Sequence, residues 1–231
     1  MDFKNLNITN VAIRTIPPLV TSGLTMWLDA GNPASYSGTG STWYDLSGFG
    51  SNITLVNAPT WHSGTPAYFS FDGYTQYGTG NTPQVLPNSQ YTKSMWLNLS
   101  AYEFNNNIVS SDAGGHFTFG SGQNHYYSGH SDWQNYNAFP TNATFDLHRW
   151  YYIAVTFEAG VIMKTFVNGV LDNTSTYNLN PHPGDGSTDI ASFDHGNNLC
   201  GSIGEFFCYN RPLSDSEILQ NFNSTKGKYG L

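Results

Sequence analysis

Charge is scarce in this chain: Asp, Glu, Lys and Arg together make up 10% of 231 residues, and Lys and Arg number only 8. The basic residues are scattered from Lys4 to Lys228 and form no run. Without a basic patch to neutralise phosphates, nucleic-acid binding is excluded, and so is electrostatic adhesion to anionic lipid. The net charge of −8 works in the same direction. Long apolar runs are missing too, and none approaches the about 20 residues that span a bilayer. The N-terminal MDFKNLNITN lacks the layout of a secretory leader. Cysteine occurs only as Cys200 and Cys208. On one extended strand these would stand roughly 26 Å apart, beyond disulfide reach, which fits reduced thiols in a protein made in a cytosol. Glutamate is confined to Glu103, Glu158, Glu205 and Glu217, no two of them neighbours. Acid–base hydrolysis of glycosides needs two adjacent carboxyl groups, and no nucleophile elbow, phosphate loop or His-Glu-x-x-His stands in for them. The expectation is a protein that is not an enzyme. His116, His125, His130, His148, His182 and His195 fit no metal-ligand spacing and read as polar surface.

What the chain has in quantity is aromatic residues, 16%, and glycine, 24 residues. That is a composition of short strands joined by tight turns. Leu24, Met26 and Leu28 alternate with Thr25 and Trp27. Ser94 to Leu99 alternates cleanly enough for a central strand. In Arg149 to Phe157, Tyr151, Ile153, Val155 and Phe157 point one way, with Trp150, Tyr152, Ala154 and Thr156 the other. Val161 to Val167 pairs with it, and Asn168-Gly169 makes the next tight turn. One helix is expected, opened by a Ser214-x-x-Glu217 capping box, striped by Ile218, Leu219 and Phe222 and ended by Gly227. The pattern predicts an all-β, antiparallel two-sheet sandwich over residues 23–231, with one short C-terminal helix capping an end or edge. Residues 1–22 form a polar lead-in, either a free terminus or an arm that docks on a neighbouring subunit.

WLDAGNPASY, WYDLSG, SFDG, MWLNLS, RWYYIAVTF, FVNGV and GSIGEFFCYNRPLSDSEILQNFNSTKG follow one another in the order of a known family. In them the chain resembles the concanavalin A-like (laminin G-like) jelly rolls, above all copies in virion proteins of tailed bacteriophages. The resemblance covers about Leu24 to Leu231, and the strand–YNRPLS–helix block is its most specific part. It implies a lectin-type jelly roll of two curved sheets. The function expected from it is that of a non-catalytic virion structural or decoration protein, made in the host cytoplasm. Such a protein would be attached to other capsid or tail proteins and would form a homo-oligomer. The alternative is a receptor-binding module that grips host-surface glycan.

Two sets of residues carry the site expectations. His125, Tyr126, Tyr127, Asp132, Trp133, Gln134 and Tyr136 crowd rings among polar groups in the segment Gly122 to Asn137. That composition fits a sugar face, a protein contact or simply the core of one sheet. Asp112 and Asp194 resemble the two places from which calcium-binding members of the family draw ligands. One carboxylate from each side is a thin set for Ca²⁺, which takes six to eight oxygens, and ordinary Asx-turns account for both residues as well. No cofactor is expected, and an EDTA titration should leave the melting temperature unchanged. A fall in that temperature on chelation would establish a structural ion instead.

Overall fold

The computed structural model describes residues 15–82, 90–103, 106–110, 115–119, 124–131, 136–176, 186–193 and 195–231. Its backbone is an antiparallel sheet of eight strands faced by sheets of five and three. Gln90–Leu99 runs through the middle of the large sheet, between Trp150–Glu158 on one side and Cys200–Tyr209 on the other. Beyond Trp150–Glu158 come Ile162–Val167 and then Val170–Ser175 at the edge. The Asn168-Gly169 turn joins these two as expected, both residues left-handed with φ of 51° and 80°. On the far side Cys200–Tyr209 pairs with both Tyr68–Asp72 and Leu24–Asp29. Both cysteines lie on this one strand and both are free.

The alternation in Trp150–Glu158 explains the layering. Tyr151, Ile153, Val155 and Phe157 enter the main core, where Met95, Leu97, Ile203 and Phe206 of the large sheet meet Trp43, Ile53 and Ile190 of the five-stranded sheet and Tyr126 of the three-stranded one. The opposite set, Tyr152 and Ala154, points away from that core and is buried all the same. A second cluster covers it, built from Trp96, Phe166, Phe207, Tyr209, Leu213, Ile218 and Tyr229. The large sheet is therefore covered on both faces.

That second cluster corrects the placement of the helix. Asp215–Thr225 does not close an end or an edge; it lies on the outer face of the large sheet, because only there can Ile218 be buried against Trp96 and Tyr152. The capping box is present as expected, with the Glu217 amide donating to Ser214 Oγ and the Ser214 amide donating to the Glu217 carboxylate. Arg211 grips the same carboxylate through two nitrogens, at 2.9 and 2.6 Å. The apolar stripe differs from the expectation. Leu219 is 44% exposed, whereas Asn221 and Thr225 face inward beside Ile218. The helix also does not stop at Gly227: a 3-10 turn, Lys226–Tyr229, continues it to the left-handed Gly230.

Two buried polar residues on the helix replace the missing apolar contacts with hydrogen bonds. The Val20 amide donates to Asn221 Oδ1 at 2.9 Å, Asn221 Nδ2 donates to the Tyr209 hydroxyl, and that hydroxyl donates to the Val20 carbonyl. The Trp96 indole N–H donates to Thr225 Oγ1 at 2.9 Å. Residues 18–22, read as part of the lead-in, are thus tied to the chain's own helix, with further bonds from Gln220 to the Pro18 carbonyl and from Arg211 to the Ser22 carbonyl.

Thr225→Val keeps the volume but leaves the buried indole N–H of Trp96 without an acceptor. Urea unfolding should show a loss of about 1–3 kcal/mol with an unchanged m-value. A change under about 0.5 kcal/mol would mean that this bond does not hold the helix to the sheet.

Candidate functional site

Strand geometry divides the ring-rich segment into two faces. Tyr126–Ser131 is the middle strand of the three-stranded sheet, between Gly115–Phe119 and Tyr136–Pro140. Successive side chains alternate across it. Tyr126, Ser128 and His130 go inward and are fully buried, while Tyr127 is half-buried on the other side. Tyr126 belongs to the main core, so its ring is not available to a ligand. His130, read from the sequence as polar surface, is instead hydrogen-bonded to the Tyr91 hydroxyl inside the molecule and packs edge-on to Phe157. His125 is half-buried, its Nδ1 at 2.9 Å from the Thr141 carbonyl. Tyr136 opens the third strand, opposite Ser131. Asp132, Trp133 and Gln134 lie outside the described residues, as do the two carboxylates considered for calcium, Asp112 and Asp194. Among the described residues no group of three His, Cys, Asp or Glu is placed to hold a metal ion.

The structure assembles two polar sites that sequence spacing could not show. The first is buried. Asp29 and Glu205 stand directly opposite each other on paired strands. Like charges so placed repel, and Lys228 bridges them, with Nζ at 2.9 Å from Asp29 Oδ2 and 2.8 Å from Glu205 Oε1. Burial, and then Asp29, push the Glu205 carboxyl up to about 7. Burial acts to lower the Lys228 ammonium, but Glu205 and Asp29 outweigh it and hold the ammonium above its usual range. Lys93, unlike the exposed Lys228, is fully buried; burial pulls its ammonium down to about 7, and its Nζ stands 4.2 Å from the centre of the Tyr91 ring.

The second site is a cavity of about 260 Å³ lined by Asp72, Gly73, Tyr74, Glu103, Asn197, Asn198 and Cys200. Asp72 is the last residue of its strand and caps the turn that follows, Oδ1 accepting from the amides of Tyr74, Thr75 and Gln76 at 2.9 to 3.0 Å. Burial works against its ionisation, yet the amides of Thr75, Tyr74 and Gln76 bring the carboxyl down to about 2. Gly73 is left-handed at φ 79°, and a Cβ there would stand 2.9 Å from that of Cys200. Glycine is therefore required both for the turn and for the close approach. Burial raises the Cys200 thiol, and the negative charges of Glu103 and Asp72 raise it further. The opposite wall is the loop before the last strand, which has left-handed residues at Ala191, His195 and Asn197. Asn106 and Asn107 hold it, through bonds from the Cys200 amide to Asn106 Oδ1 at 2.7 Å and from Asn107 Nδ2 to the Asn197 carbonyl at 3.0 Å.

A profile described as the concanavalin A-like lectin/glucanases superfamily, of the laminin G type, matches residues 71–219. The chain belongs to this superfamily. The concanavalin A-like fold is seen again in solved structures. The binding domain of botulinum neurotoxin DC in complex with SialylT is 14% identical with a TM-score of 0.70, the match covering 89% of this chain and 52% of that one. The same domain in complex with rat synaptotagmin II gives 15% identity and a TM-score of 0.67, over 89% and 52% of the two chains. The botulinum neurotoxin type G receptor binding domain gives 15% and 0.67, over 87% and 51%. This concanavalin A-like chain spans about half the length of these neighbours. Comparison with curated protein sequences gave no match.

The buried acid pair of this concanavalin A-like domain makes stability depend on pH with a definite sign. Folded Glu205 keeps its proton to about 7, well above its ordinary 4.5. Its contribution is therefore complete below about 4.5 and is lost as pH rises through 7. Lys228→Ala leaves two carboxylates facing each other and should lower stability at pH 8, by less than the about 3–5 kcal/mol of a fully buried pair because the Lys228 side chain is 46% exposed. The loss should be smaller at pH 5, where Glu205 is protonated, and Glu205→Gln in the same chain should recover most of it. A loss that is equal at both pH values would show that the bridge does not neutralise Glu205.

Proposed function

We propose that this chain is a non-catalytic attachment module, a lectin-type sandwich carried on the surface of a tailed-phage virion and holding to other virion proteins. The observation that carries the non-catalytic part is the state of the Asp29–Glu205 pair, which Lys228 bridges and the C-terminal turn covers. An acid and a base for glycoside cleavage must instead be free to reach substrate. The virion part rests on the resemblance of the strand–YNRPLS–helix block. Holding to a partner is in keeping with neighbours that are described as binding domains, one in complex with a protein. Exposed apolar side chains, Val170 at 65% and Leu171 at 42% on the edge strand and Leu219 at 44% on the helix, supply contact surface.

The docking arm in this reading is 1–14, because residues 18–22 are bound to the chain's own helix. A chain starting at Thr15 should melt as the full chain does but fail to appear on particles viewed by electron microscopy. Undiminished incorporation would remove the arm from the account. Absence of the full-length chain from particles would remove the virion role.

A second reading, a glycan-gripping module, is favoured by the polar cavity between Asp72 and Asn198. It concerns a different surface from the arm.

A further inference from the structure

A groove of about 860 Å³ lies beside the C-terminal end of the helix, away from the rim cavity. The entering chain, Thr15 to Pro17, lines it together with the end of the helix, the 3-10 turn and Leu231. Two aliphatic side chains stand open there, Ile16 at 74% exposure and Leu231 at 46%. The stems of Lys226 and Lys228 add methylene surface, while their ammonium groups are held at the Phe222 ring and at the acid pair. No hydrogen bond among the described residues engages the backbone of Thr15 or Ile16. Open aliphatic groups beside unused backbone groups are what a docking peptide takes up. We infer that this groove receives residues 1–14 of a second copy of this chain, and that two copies exchange these arms.

The occupant follows from where the arm is rooted. Thr15 is both the residue that follows the arm and part of the groove's lining, so each arm leaves from the edge of a receiving site. Residues 1–14, MDFKNLNITNVAIR, carry Phe3, Leu6, Ile8, Val11 and Ile13. Such side chains gain from leaving water and match Ile16 and Leu231 in kind. Fourteen residues span at most about 46–50 Å, enough to cross to a neighbour. To enter the groove of its own chain the arm would have to reverse at its root. The stretch Val11 to Thr15, VAIRT, offers no Gly, Pro, Asn, Asp or Ser for a tight reversal. A second copy placed groove to groove needs none.

The same coincidence of root and receptor sets the stoichiometry. When one arm crosses, the partner's arm is rooted beside the groove that the first copy offers, and a single two-fold axis satisfies both. A reciprocal contact of this kind closes at two copies and does not propagate into a filament.

This inference rests on the reading of residues 1–14 as a docking arm and names what the arm holds. The virion role is tested separately by the particle experiment. Loss of incorporation on truncation, with no association between free copies, would leave the arm standing and overturn the exchange. The direct test is sedimentation equilibrium of the full chain over a concentration series, which should show monomers passing into dimers. A side chain at Gly227 meets nothing within 4 Å, so Gly227→Trp fills the groove without strain. It should keep the native circular dichroism and weaken association at least about tenfold. Ile16→Asp, at an exposed position, blocks the groove by a second route and should do the same. So should Ile8→Asp combined with Ile13→Asp, in the arm. Mixing this arm variant with Gly227→Trp should restore association, because the intact arm of one chain meets the open groove of the other. With only the arm variant ¹⁵N-labelled, amide shifts in the mixture should centre on Ile16 and on residues 223–228. The inference is overturned by a full chain that stays monomeric at every concentration, or by dimers that survive both groove variants. Failure of the two variants to complement would also overturn it, since an arm folded into its own groove gives that result. Shifts centred on Val170 and Leu171 would do so as well, by placing the contact at the sheet edge.

Discussion

Two carboxylates that face each other across paired strands decide how this molecule closes. Asp29 and Glu205 are set opposite by the register of Leu24–Asp29 on Cys200–Tyr209, and neither can be left bare inside a sheet. The cation that joins them, Lys228, is the third residue of the 3-10 turn at the C-terminus. Bringing it to the pair lays Tyr229 flat on Trp96, ring centroids 4.0 Å apart at 10°. Glycine is needed at 204 for this, as a Cβ there would meet the Tyr229 hydroxyl oxygen. The adjoining helix then covers Trp96, Tyr152 and Phe207. The outer face of the large sheet, which in an open sandwich would meet water, is sealed by the end of the chain.

With that face sealed, the rim loops between the sheets stay open, Asp72 and Tyr74 among their exposed residues. Tyr68–Asp72 belongs to the eight-stranded sheet and Tyr77–Asn81 to the five-stranded one. The Asp72–Gly73 turn is therefore a crossing between layers, where a cavity can open at the rim. The neighbouring wall comes from the loop that enters Cys200–Tyr209. Both walls are fixed by hydrogen bonds to their backbone: the Tyr74 and Thr75 amides donate to Asp72 on one side, and on the other the Cys200 amide donates to Asn106 while Asn107 donates to the Asn197 carbonyl. A site built on such anchored turns loses little freedom when a ligand enters. Its lining sets the carboxylates of Asp72 and Glu103 and the amides of Asn197 and Asn198 beside the exposed ring of Tyr74.

The large elements were legible because their signals are local. Alternation in RWYYIAVTF assigned each residue to its face, the capping box located the helix start, and Asn168-Gly169 marked its turn. What escaped were features set by distant contacts. Leu219 suits an apolar stripe better than Asn221 does, but Asn221 faces inward because Val20 and Tyr209 supply its hydrogen bonds. The mixed apolar and aromatic run around Gln90–Leu99 hides Lys93, which is buried beside Tyr91. The bridge of Asp29, Glu205 and Lys228 and the cavity of Asp72, Glu103 and Asn198 each draw on three separate parts of the chain. No spacing rule reaches that far. In the ring-rich segment the composition was real, but the period of two along Tyr126–Ser131 distributes it between core and surface.

The claim at the centre of this account is that the end of the chain seals the outer face of the large sheet by carrying Lys228 to the buried acid pair. Native-state hydrogen exchange of the Trp96 indole N–H, bonded to Thr225 beneath the helix, addresses this most directly. In Lys228→Ala the indole should lose protection by a larger factor than the backbone amides of Gln90–Leu99 do. Indole exchange left unchanged by that substitution would contradict it.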